Sequence, residues 1–114
     1  MKNKDRIRER YLRDPLPTRL AGLASTLRKV SSSARQESGA EVVADLLEEG
    51  QYFIEWTAAE AEPEIAADLV NIQVMLSLWR NAWPEARRSR SQRSILSVQA
   101  KLWSDQVLRY AGFG

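Results

Sequence analysis

The 114-residue chain contains no cysteine and no histidine. Without cysteine it can form no disulfide, no thiolate metal site and no thiol nucleophile. Without histidine it lacks the commonest metal ligand and the usual general acid or base near neutral pH. The two absences exclude zinc sites of the Cys/His type and the Ser–His and Cys–His active sites. We therefore expect no metal and no cofactor.

Long apolar runs are also missing. The longest mainly apolar stretch without charge, residues 69–79, has about half of the ~20 residues that a membrane-spanning helix needs. The first five residues include two lysines and an aspartate, and no apolar run follows them, so no secretory signal is expected. We expect a cytoplasmic, prokaryotic protein that makes no membrane contact.

Motifs for catalysis and nucleotide binding are absent as well. The sequence has no G-x-x-x-x-G-K-[ST] loop, no G-x-G-x-x-G turn and no G-x-S-x-G elbow. The Glu-x-x-His pairs of di-iron bundles are excluded because histidine is missing. The carboxylates Glu60, Glu62 and Glu64 are expected to lie in a solvated connector. We therefore expect a protein without enzymatic activity.

Charge is unevenly distributed along the chain, although the net charge is only +2. Residues 1–35 contain ten Lys/Arg and three Asp/Glu, a net charge of +7. Residues 36–79 contain ten Asp/Glu and no base, and residues 80–114 contain seven bases and two acids. Such blocks either create a dipolar surface for a partner or neutralise one another inside one fold. We favour neutralisation.

Apolar residues recur at the helical period along most of the chain, and no strand-like alternation is evident. The pattern predicts an all-α fold, an antiparallel four-helix bundle with an additional short N-terminal helix or arm. We expect one domain, residues 1–114. Its segments are a basic arm over residues 1–14 and helices over residues 15–33, 39–57, 63–82 and 84–111.

Capping residues and prolines determine the predicted helix boundaries. Asp14, followed by proline, is expected to cap the first main helix, and Ser38 with Glu41 matches a capping box for the second. Pro63 and Pro84 are each expected at the first position of a helix, where the missing N–H costs little.

Two glycines have distinct predicted roles. Gly50 falls in the apolar stripe of the second helix, where an interior glycine costs about 0.5–1 kcal/mol relative to alanine. It either permits a neighbouring backbone to approach closely or is merely tolerated. Gly112 is expected just beyond the end of the last helix.

The helix predicted over residues 63–82 is apolar on two opposite sides. One side carries Ile65, Leu69, Ile72, Leu76, Trp79 and Trp83, and the other carries Val70, Val74 and Leu78. A helix with two apolar faces is buried on both. The first face is expected in the core. The second predicts the interface of a homodimer, and the alternative is that the N-terminal arm covers it.

Tyr52 and Trp56 form a second candidate surface. They lie one turn apart on the second helix, opposite its apolar stripe, and are surrounded by Glu48, Glu49 and Glu55. Exposed aromatics bordered by charge resemble the hot spots of protein interfaces. The alternative is that they pack under the N-terminal arm or against arginine side chains by cation–π contact.

Arginine-rich segments provide a third candidate surface. Cations of this density can bind phosphate and therefore nucleic acid, although no recognition helix or aromatic RNA-binding signature accompanies them. The candidate contacts are Arg6, Arg8 and Arg10 in the arm, and Arg80, Arg87, Arg88, Arg90 and Arg93 later in the chain.

Together these patterns favour a small helical protein that acts through association with a second copy of itself or with another protein. The alternative function is that of an accessory protein that binds nucleic acid through the two arginine-rich segments.

Overall fold

The structure, a computed structural model, describes residues 3–112, and within this range it contains five α-helices, two short 3-10 turns and no strand. The all-α prediction is therefore confirmed. The 3-10 turns are Glu37–Gly39 and Ala58–Glu60. The helices are α1 Lys4–Arg13, α2 Leu16–Ala34, α3 Ala40–Thr57, α4 Pro63–Ala86 and α5 Arg90–Tyr110. Residues 1 and 2 of the predicted arm lie outside the described range.

The helices α2 to α5 form an antiparallel four-helix bundle. Each packs against the next in the chain, and α5 returns to pack against α2, the most extensive contact of the four. The core is apolar and continuous, because each helix contributes a stripe at helical spacing. Its largest fully buried side chains include Leu23, Leu27, Leu47, Ile54, Leu69, Leu76, Trp83 and Leu96.

Small residues allow α2 and α5 to approach closely. The hydroxyl of Ser31 donates to the carbonyl oxygen of Ser97 at 2.7 Å, and the hydroxyl of Ser97 donates to the carbonyl oxygen of Ser31 at 2.8 Å. The hydroxyl of Ser104 donates to the carbonyl oxygen of Ala24 at 2.7 Å. Buried hydroxyls need such partners, and these bonds fix the antiparallel register of the two helices.

The helix α1 packs against α3 rather than extending away as an arm. The ring of Tyr11 stacks on that of Phe53 with centroids 4.3 Å apart. The hydroxyl of Tyr11 donates to the carbonyl oxygen of Arg19 at 2.9 Å and lies 2.7 Å from the hydroxyl of Thr57. The predicted short N-terminal helix is therefore present and belongs to the packed fold.

The predicted boundary at Pro84 is wrong, because α4 continues through this proline to Ala86. Trp83 is 2% exposed and its indole N–H donates to the carbonyl oxygen of Ala40 at 2.8 Å, so tertiary packing holds the last turn in helical form. The chain turns at residues 87–89 instead. The hydroxyl of Ser89 then caps α5 by accepting from the backbone N–H of Gln92.

Two predicted N-caps are also wrong. Ser38 lies in a 3-10 turn, Gly39 occupies the cap position of α3, and no side chain caps that helix. A Cβ at Gly39 would lie 2.5 Å from the carbonyl oxygen of Ser33, so close backbone approach requires glycine here. Asp14 ends α1 rather than capping α2.

The predictions for Pro63 and Gly112 agree with the structure. Pro63 opens α4, and Gly112 follows α5 with a positive φ of 90°. Gly50 is buried, and a Cβ there would lie 3.0 Å from Cδ1 of Leu76. The close neighbour is therefore a side chain of α4 rather than a backbone.

Candidate functional site

The exposed apolar residues of the protein are concentrated on α4 and α5. Eight large apolar side chains are exposed within residues 3–112, and six of them lie on these two helices. We call these six the α4–α5 face, and their exposed fractions lie between 44% and 61%. They are Val70, Val74 and Leu78 on α4, and Ile95, Val98 and Leu102 on α5.

Hydrogen bonds join the two helices that carry this face. The indole N–H of Trp79 donates to Oε1 of Gln99 at 2.8 Å, and the hydroxyl of Tyr110 donates to Asp68. Burial raises the pKa of Tyr110, and its hydrogen bond to Asp68 raises it further. Both pairs give the same antiparallel register, in which Leu102 lies at the level of Leu76 along the bundle.

The N-terminal helix leaves the α4–α5 face uncovered. It packs on α3 through Tyr11, whereas Val74 is 52% exposed and Leu78 is 57% exposed. The alternative that the arm covers the second face of the third main helix is therefore wrong. The α5 row was missed at the sequence level, although Ile95, Val98 and Leu102 have helical spacing opposite the core stripe.

Tyr52 and Trp56 stack on each other and lie beside α1. Their ring centroids are 5.6 Å apart, and Trp56 also lies 5.9 Å from Tyr11. The ammonium of Lys4 lies 4.7 Å from the centre of the Tyr52 ring, a cation–π contact. The structure therefore shows the packing arrangement that was the alternative to a partner surface, and both rings are half-buried.

The acidic residues around this aromatic pair have separate environments. The carboxylate of Glu48 lies 2.5 Å from the guanidinium of Arg80. Glu49 is half-buried, and burial raises its pKa, an effect that Lys29 opposes. Glu55 is exposed and borders a groove of about 550 Å³ between α1 and α3.

Arg19 is a buried residue with a structural role that was not predicted from the sequence. It is 4% exposed, and its guanidinium contacts both carboxylate oxygens of Glu60, at 2.6 and 3.0 Å. It also donates to the carbonyl oxygens of Asp14 and Trp56. A signal existed, because Arg19 lies three residues after Leu16 and so falls on the apolar stripe of α2.

The candidate phosphate contacts do not form one basic surface. Arg80 is paired with Glu48, and Nη1 of Arg93 donates to the carbonyl oxygen of Arg87 at 2.7 Å. Arg88 and Arg90 are exposed at the turn between α4 and α5. Arg6, Arg8 and Arg10 are exposed on α1, which packs near the C-terminal end of α3, whereas the turn adjoins the N-terminal end of α3.

Among residues 3–112, two ion pairs join bases of the outer charge blocks to acids of the middle block, Arg19 with Glu60 and Arg80 with Glu48. In the range 3–112, no group of three or more His, Cys, Asp or Glu is arranged to hold a metal ion. Over that same range, no helix combines the length and apolar character needed to cross a bilayer.

Comparison with family models, curated proteins and solved structures finds no match for the chain.

Proposed function

We propose that this protein acts by association, without catalysing a reaction, and that its principal partner is a second copy of itself. The α4–α5 face carries the proposal, because six large apolar side chains lie exposed on two adjacent helices. Apolar patches of this kind on a folded surface are typical of protein interfaces. Twofold homodimers are the commonest oligomers.

The size of the face supports a dimer. The helices α4 and α5 contain 24 and 21 residues. At 1.5 Å per residue and ~10 Å of width per helix, they present a face of roughly 36 by 20 Å, or about 700 Å². A standard protein interface buries about 800 Å² per partner. The face is therefore close to the size that a specific dimer needs.

The composition of α4 supports the same proposal. Residues 65–84 contain only two charged side chains, Asp68 and Arg80, and each is bonded to another helix of the same chain. The outer side of α4 is therefore free of unpaired charge over these twenty residues. Depletion of charge is typical of the centre of an interface, because buried charges without partners are costly.

A matched pair of variants tests the proposal. Val74→Glu places a charge in the centre of the face, whereas Val42→Glu places one on α3 at a valine of nearly equal exposure, 52% against 50%. We expect Val74→Glu to be monomeric by light scattering and Val42→Glu to remain dimeric. Circular dichroism checks that both variants are folded. Equal masses for the two folded variants would contradict the proposal.

Nucleic-acid binding remains the alternative function. Its support is that Arg88 and Arg90, together with Arg8 on α1, are exposed and form no ion pair among the described residues. The separation of the two basic segments at different ends of α3 favours association instead. Titration with labelled RNA and DNA at low ionic strength tests this alternative, and salt-sensitive binding would support it.

The proposal includes a cytoplasmic location and a prokaryotic source. Fractionation of the source cells, followed by immunodetection of the chain, tests the location.

A further inference from the structure

We propose that the two copies pack with their α4 helices antiparallel, about a twofold axis that passes between Val74 and Leu78. This inference rests on the proposed function, since it requires that the α4–α5 face binds a second copy. It adds the orientation of the partner and the contacts that set it. Three features of the described residues support it: the apolar centre of α4, the register of α5 and the charges at the two ends of the helix pair.

The apolar centre places the axis. A twofold axis at the level of Leu76 pairs Val74 of one copy with Leu78 of the other, because each lies two residues from that level. Both side chains are more than half exposed. In an interface of this symmetry the same patch is used by both copies and must be complementary to itself. The row on α4 satisfies this condition in the antiparallel orientation.

The register of α5 agrees with this axis. Trp79 is bonded to Gln99, and Asp68 is bonded to Tyr110, and the two residue numbers have the same sum in both pairs. An α4 residue and an α5 residue that lie at the same level along the bundle axis therefore have numbers with that sum. The level of Leu76 therefore corresponds to Leu102 of α5, which is 61% exposed. The same axis thus brings Leu102 of one copy towards Leu102 of the other.

The charges select the antiparallel orientation. Glu62 and Glu64 are exposed at the start of α4, whereas Arg88 and Arg90 are exposed just beyond its end. Rotation about the level of Leu76 brings Glu64 to the level of Arg88 in the other copy. Arg90, at the start of α5, lies at that same level in the register set by the Trp79–Gln99 and Asp68–Tyr110 bonds. Parallel α4 helices would instead place acid beside acid and base beside base, and like charges at an interface are repulsive.

No other acidic residue of α4 opposes this arrangement. Glu85 is exposed near the basic end, and the same rotation brings it to the level of Ala67, which is uncharged. Glu62, Glu64, Arg88 and Arg90 form no ion pair among residues 3–112, so they are available to a partner.

A distance between spin labels tests the orientation, because the chain has no cysteine and one engineered cysteine labels one site. The variant Glu85→Cys places the label nine residues from the proposed axis. At 1.5 Å per residue, two labels in the antiparallel dimer are about 27 Å apart, and parallel α4 helices bring them within roughly 15 Å. Double electron–electron resonance on the dimer of the 114-residue chain measures this distance.

The outcomes separate this inference from the proposed function. A distance near 27 Å supports the antiparallel dimer. A dimer with labels within roughly 15 Å, or with no measurable coupling, overturns the orientation but leaves association through the face standing. A chain that stays monomeric at high micromolar concentration overturns the proposed function itself.

Exchanging the charges of Glu64 and Arg88 gives an independent test of the contacts proposed at the two ends of the paired α4 helices. Two copies of the Glu64–Arg88 pair would form in the dimer, so Glu64→Arg should weaken dimerisation by about tenfold at low salt. Adding Arg88→Glu to the same chain should restore most of the affinity, and 0.5 M NaCl should reduce both effects because it screens surface charges. Failure of the second substitution to restore affinity would overturn the proposed pairing.

Discussion

Arg19 and Glu60 form a bidentate ion pair in which the guanidinium is almost fully buried and the carboxylate is exposed. Their side chains are 5% and 57% exposed, and the two N–O distances are 2.6 and 3.0 Å. The pair joins the beginning of α2 to the 3-10 turn after α3. The hydrogen bond to Arg19 holds the pKa of Glu60 below its usual value. The contact therefore links α2 to the connection after α3, at the end of the bundle where α1 packs.

Arg19→Ala should destabilise the protein by about 2 kcal/mol, because it removes bonds to Glu60 and to two backbone carbonyls from a buried position. Arg28→Ala is the matched control. Arg28 is exposed, and its ion pair with Asp105 is long at 3.5 Å, so we expect a change below about 0.5 kcal/mol. Urea unfolding measures both values. Similar free energies for the two variants would contradict the structural role of Arg19.

Tyr11 should make the protein sensitive to alkaline pH. Burial raises the pKa of Tyr11 from its ordinary value of 10.0 to about 12, with opposition from its bond to Thr57 and the charge of Arg19. The unfolded chain loses this proton near pH 10 while the folded chain retains it. The stability from this group is therefore complete below pH 10 and is lost as pH rises towards 12, by about 2 kcal/mol.

Tyr11→Phe tests the alkaline prediction. The variant should be less stable at pH 7 by about 1 kcal/mol, because the hydroxyl bonds to Thr57 and to the carbonyl of Arg19 are lost. Between pH 10 and 12 its stability should fall less steeply than that of the wild type. Parallel slopes in urea unfolding across this range would show that Tyr11 is not the group responsible.

Two glycines should respond to alanine in opposite directions. A Cβ at Gly22 would lie 3.9 Å from the ring of Tyr11, an ordinary contact, so Gly22→Ala should stabilise by about 0.5–1 kcal/mol. At Gly50 it would lie 3.0 Å from Leu76, which is fully buried and has little room to move. We expect Gly50→Ala to destabilise by about 1 kcal/mol. Equal melting-temperature shifts for the two variants would contradict this contrast.

The sequence predicts the helices well where apolar periodicity is strong, and less well where local signals compete with packing. Pro84 is a strong local signal, but the burial of Trp83 extends α4 beyond it. Ser89 and Gln92 do form the start of α5, and their spacing matches a capping box that sequence reasoning overlooked.

The candidate surfaces differ in how far sequence could predict them. The two opposed apolar stripes of α4 predict the exposed row Val70, Val74 and Leu78, because that pattern is local to one helix. The packing of Tyr52 and Trp56 beside α1 depends on how distant segments meet. The same holds for Arg19, whose partner Glu60 is distant in sequence. Long-range pairings of this kind have no local signal.

Sedimentation equilibrium of the 114-residue wild-type chain tests the central claim, association through the α4–α5 face, most directly. The measurement is made over a range from low to high micromolar concentration in physiological salt. We predict that the mass rises to twice the 13.0 kDa of the single chain. A mass that stays at 13.0 kDa at high micromolar concentration would contradict the account.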